Sequence, residues 1–196
     1  MASTVTHNNE VVQDPPAVQW LLSSPKAAWI WLVLRVWLGY QWIEAGLHKI
    51  HNPAWVDTGV ALKGYWENAV VIPEAGRPAI AFDWYRGFIQ MMLDAEAWTW
   101  FAPLVVYGEI IVGIALILGI FTGISAFVGG FMNWNFMMAG SASTNPMLFV
   151  VAVGLIMAWK VSGYIGADYF LLRAIGTPWR GVPVQQPVQQ AKPIAL

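Results

Sequence analysis

The sequence predicts an all-α integral membrane protein, a four-transmembrane-helix bundle with a long extramembrane loop between its first and second helices. Two observations carry this. Of 196 residues, 58% are hydrophobic and only 11% charged, whereas soluble domains run near about a quarter charged. From Thr99 to Trp159 the single formal charge is Glu109, and no water-facing surface is built from such a stretch.

The polar N-terminus, residues 1–25, carries Glu10 and Asp14 rather than a basic n-region, so it reads as a flexible leader and not as a cleaved signal peptide. The transmembrane domain spans residues 26–175, and its first helix, 27–47, opens after Pro25 and Lys26. His48, Lys49, His51 and Asn52-Pro53 bring it to a stop. The loop 50–98 mixes Gly, Pro and charge and is long enough to hold short helices of its own. One of these, Phe82 to Asp94, fits a helix lying in the membrane interface with Asp83, Arg86 and Asp94 in water, or a connector packed on the end of the bundle. Helices at 99–119 and 122–139 are joined by a tight Gly-Ile-Phe-Thr-Gly corner and run antiparallel. A polar break at 141–146 precedes the fourth helix, 147–164, and the Pro/Gln-rich tail, 176–196, is expected to be disordered.

A net charge of −1 leaves no basic footprint for nucleic acid, and the absence of cysteine excludes thiolate metal sites and iron–sulfur clusters. Lys and Arg are shared almost evenly between the two sides, with both termini placed inside.

A charge at membrane depth costs roughly 2.5 to 3.5 kcal/mol, so each one needs a partner or a cavity. Arg35, Glu109 and Lys160 are the candidates, and counting from the helix ends places them at similar depth, with Arg35 paired to Glu109. Such a pair is either a clamp or the lining of a polar cavity for a quinone headgroup, an anion or a proton, and Lys160 snorkels or joins it. Arg35, Gly39, Trp42, Gly46 and Lys49 share one stripe of the first helix, while Glu44, His48 and His51 form a second near the loop side. The second stripe is an interfacial polar cluster or a proton or substrate contact, and no metal site is expected from it. Asn133 and Asn135 flank Trp134 near mid-membrane, as interhelical glue or as a donor and a flat wall for a quinone carbonyl.

Arg35, Gly39, Gly46 and Lys49, then Glu109, Gly113, Gly119 and Thr122, resemble the DoxX/DoxD family of small membrane proteins. The segment Asn135-Phe-Met-Met-Ala-Gly-Ser-Ala-Ser-Thr-Asn-Pro, with Gly163, Gly166 and Asp168, continues the resemblance over roughly residues 26–175. It implies a four-helix, multi-pass protein of the cytoplasmic membrane, similar to the large subunit of thiosulfate:quinone oxidoreductase, in which electrons from thiosulfate reduce a membrane quinone. In that reading Arg35 and Lys49 attract the anion and Glu109 manages protons. Asn133, Trp134, Trp42, Lys160, Glu44 and His48 are the candidates for binding quinone or substrate. Quinone is then the electron acceptor, and no haem, flavin, iron–sulfur or metal motif accompanies it. The expected partners are membrane lipid, the quinone, and another protein subunit or a second copy of the chain. The alternative is a non-catalytic accessory or assembly subunit of a larger respiratory or oxidative-stress complex.

Overall fold

A computed structural model describes residues 14–176, all of whose regular elements are helical. The expected disordered tail from 177 on and the first residues of the leader lie outside the described residues.

Within the leader, Pro16–Ser23 forms α1, with proline in its first turn where a missing N–H costs nothing. A single 3-10 turn, Pro25–Ala27, then leads into α2, Ala28–Ile50. Trp31 Nε1 donates to the Leu21 carbonyl at 2.8 Å and ties α1 back onto α2. The leader beside the bundle is therefore helical, not loose, and α2 runs past the expected stop at 47. His48 and Lys49 occupy its last turn, where the helix dipole favours positive charge.

The loop holds α3, Pro53–Val56, α4, Val60–Val70, and α5, Asp83–Asp94. Asn52 caps α3 by accepting the Ala54 N–H, and Gly59, at a φ of 69°, makes the turn into α4. Tyr85, Ile89 and Leu93 line one face of α5 and bury it in a second apolar core with Leu62 and Trp66 of α4. This segment thus packs inward through one face, while Trp84, Phe88 and Met91 stay exposed on another.

Next come α6, Trp98–Leu118, α7, Thr122–Met138, and α8, Asn145–Met157. At Ala158 the chain leaves helical geometry, then forms α9, Trp159–Ser162, and α10, Asp168–Ile175. The expected unbroken helix 147–164 is thus interrupted. α6 is long and apolar enough to cross a membrane, with a mean hydropathy of 2.3 in its apolar window. α7 and α8 have 17 and 13 residues, short of the about 20 that a straight span needs.

The register of the bundle is set by glycine. A Cβ on Gly113 would fall 2.7 Å from the Gly39 carbonyl oxygen and 2.8 Å from the Ile43 nitrogen, both backbone atoms that cannot move aside. A Cβ on Gly46 would meet the Val106 carbonyl oxygen and the Ile110 nitrogen less tightly, at 3.2 and 3.3 Å, so α2 and α6 pack nearly backbone to backbone along this stripe. Gly113→Ala is expected to push these helices apart at a cost of about 1–3 kcal/mol, measured as a lower melting temperature in detergent. The outward faces are apolar: Val33, Ile111, Ile124 and Val150 are 65% to 68% exposed. That surface suits lipid rather than water.

Candidate functional site

Two buried charge clusters and one cavity organise the bundle. At its loop end, Lys49 Nζ lies 2.7 Å from both carboxylate oxygens of Glu109, which is 1% exposed. Trp55 of α3 shields the ammonium, 5.4 Å from its ring centre. Asn133 lies at the same level. Trp42 Nε1 and Val112 both abut Gly129, and one turn further along the antiparallel pair stand Asn133 on α7 and Glu109 on α6. Among the described residues the buried Asn133 amide and Trp42 Nε1 have no hydrogen-bond partner. These groups make one polar layer across α2, α6 and α7.

Arg35 is not part of that layer, which corrects the expected Arg35–Glu109 pair. The crossing of Gly39 with Gly113 sets Arg35 against Gly119, while Glu109 lies level with Gly46, roughly 15 Å further along α2. Arg35 is instead enclosed at the opposite end, donating from Nη2 to the Ile165 carbonyl at 2.9 Å. Asp168, fully buried, interacts with it through charge. The Asp168 carboxylate also accepts the N–H groups of Phe121 and Thr122 at 2.6 and 2.8 Å, capping the start of α7. The Asp168 N–H donates to the Gly119 carbonyl, so the α6–α7 corner, α2 and α10 are tied in one knot.

Lys160 is exposed on α9, off the face of α8 that Leu148, Ala152 and Leu155 bury. Glu44 and His48 face outward, 3.9 Å apart and well exposed, and take no part in the buried layer. His51 is likewise exposed. The second stripe of α2 faces outward because the first is held against α6.

An apolar, ligand-sized cavity lies elsewhere. A cavity of about 240 Å³ sits between α4 and α5 on one side and α6 and α7 on the other. Leu62, Trp66, Ile89, Phe101, Val105 and Phe136 supply most of an apolar lining, and Tyr65, Tyr85 and Asn135 add polar atoms. The Tyr85 hydroxyl lies 3.1 Å from both the backbone carbonyl and the side-chain oxygen of Asn135. Tyr65 reaches the carbonyls of Phe136 and Ala139 at 3.3 and 3.4 Å. Trp134 is set behind this wall, edge-on to Tyr85 and stacked on Phe131.

Burial, with Tyr65 nearby, pushes the Tyr85 hydroxyl up to about 12 from 10.0. A folded-state value above the unfolded one means that stability is intact below pH 10.0 and falls as pH rises toward about 12. Alkaline unfolding curves are expected to show this decline, and Tyr85→Phe to lack that part of it.

The sequence profile described as DoxX matches residues 30–139. The chain belongs to the DoxX family. Neither a curated protein nor a solved structure matches it. The DoxX match runs from within α2 through α7, so it holds the Lys49–Glu109 pair, Asn133 and every residue lining the aromatic cavity. DoxX membership, with the apolar α6, makes this a membrane protein. Sequence reasoning missed the cavity and the part played by Asp168. The spacing of Tyr85, Ile89 and Leu93 was the available signal for the first, since it marks an inward face on a loop helix.

Proposed function

We propose that this DoxX protein is the quinone-handling subunit of a quinone-linked oxidoreductase of the thiosulfate:quinone type. It would lie in the cytoplasmic membrane as a multi-pass bundle, with α2, α6, α7 and the α8–α9 segment as spans. The aromatic cavity carries this reading. A quinone headgroup is flat and apolar with carbonyls at its edges, and Trp66, Phe101 and Phe136 offer ring walls while Tyr85 offers a hydroxyl donor. In the reaction two thiosulfate anions join through a new S–S bond, giving up two electrons. The quinone accepts these with two protons and leaves as quinol. Glu109 stands one helical turn beyond Val105 of the cavity wall, and the Lys49–Glu109 pair, whose proton is held on the ammonium, would relay protons taken up from water toward the ring through the Glu109 carboxylate. The anion is oxidised on a partner subunit in this scheme, because Lys49 is neutralised by Glu109 and Arg35 is enclosed.

An accessory or assembly role is the second reading. It is favoured by the way both charge clusters tie helices together. The two separate in one preparation. Organic extraction and ultraviolet–visible spectra of the detergent-purified protein are expected to show quinone in near-equal amount to the chain. Thiosulfate-dependent reduction of a quinone analogue is expected in proteoliposomes that retain the co-purifying subunits. A quinone-free chain whose removal leaves that turnover unchanged would overturn the oxidoreductase reading in favour of the accessory one.

A further inference from the structure

The cavity is open on one side. Among its lining residues Phe88 of α5 and Phe131 of α7 are exposed, 40% and 55% respectively. Outside that mouth a strip of stacked rings runs along α7, with Phe127 to Phe131 at 6.5 Å and Phe131 to Trp134 at 5.9 Å between ring centres. The mouth therefore leads onto an apolar surface rather than into water.

Inside, the Tyr85 hydroxyl is free to be redirected. It has one proton to share between two oxygens of Asn135, and the Asn135 carbonyl already accepts the Ala139 N–H at 3.0 Å. Turning the hydroxyl toward a ligand strands no backbone acceptor. Size limits the ligand as well. A dry cavity of about 150 Å³ holds benzene, so 240 Å³ admits a substituted ring or two fused rings, and not three in line.

We propose that a lipid-soluble ligand enters this cavity sideways between Phe88 and Phe131. Its one- or two-ring carbonyl headgroup receives the Tyr85 hydroxyl, and its aliphatic tail lies along the Phe127–Phe131–Trp134 strip. This rests on the quinone reading for the class of headgroup, and on the cavity alone for the route and the size.

Titration calorimetry on the detergent-purified full chain tests it with decyl-benzoquinone, decylbenzene and anthraquinone as probes. The first two are expected to bind and anthraquinone is not. Tyr85→Phe is expected to weaken the quinone about fivefold, the equivalent of one hydrogen bond, and to leave decylbenzene unchanged. Ala139→Leu, which fills the cavity, is expected to weaken both by more than about tenfold. Phe131→Ser, on the exposed mouth, is expected to weaken both tailed probes and not the tail-free benzoquinone, and serves where Ala139→Leu does not fold. Equal weakening of quinone and decylbenzene by Tyr85→Phe would overturn the hydroxyl assignment, and unchanged binding in the other two variants would overturn the sideways route. If decylbenzene binds but the quinone binds no tighter and none is extracted, the quinone reading falls and the route stands. If neither probe binds while extracts contain quinone, the route falls and the quinone reading stands.

Discussion

Lys49→Met is expected to lower stability by about 3–5 kcal/mol, because it leaves the Glu109 carboxylate buried without a partner. The double change Lys49→Met with Glu109→Leu is expected to recover most of that loss, since a buried ion pair replaced by packed apolar groups is often neutral. Melting curves in detergent check both, and a double variant no more stable than Lys49→Met would sink the account. The double variant is also informative about mechanism. If it folds and still supports quinone turnover, Glu109 is not the proton relay and the pair is a clamp.

A second loss of similar size is expected from Asp168→Ala. The change removes the acceptor for the Phe121 and Thr122 N–H groups and the carboxylate that balances Arg35. Together these are worth about 3–5 kcal/mol, the scale of leaving a buried charge without compensation, of which a lost helix cap accounts for about 1 kcal/mol. Asp168→Asn keeps one acceptor oxygen and loses the charge, so it is expected to fall between wild type and Asp168→Ala in the same melting experiment. Equal stability of all three would show that the knot around Arg35 does not hold the helices.

The helices around Leu38, Val112 and Ala126 were legible because long apolar runs and a glycine corner leave few alternatives. Family membership was legible from the spaced glycines and charges on α2 and α6. The partner of Glu109 was not. Counting depth from helix ends treats each helix as an independent rod, whereas the Gly39–Gly113 crossing fixes how far α2 slides along α6. That slide gives Glu109 to Lys49 and leaves Arg35 to the far end. The break at Ala158 had no proline or glycine to announce it. The cavity was hidden for a different reason. Its walls are assembled from Leu62, Ile89, Val105 and Phe136, residues of four helices that periodicity reads only one at a time.

The contact between Arg35 and Ile165 joins residues 130 positions apart in the chain. Arg35 enters the bundle with the first long helix to be synthesised, and its acceptor and balancing carboxylate are among the last of the described residues to be made. Until they arrive, the nascent bundle carries an uncompensated guanidinium next to its first hairpin corner. Closure around Arg35 therefore waits until Ile165 and Asp168 have been made, and chains truncated before Asp168 are expected to leave Arg35 without either partner.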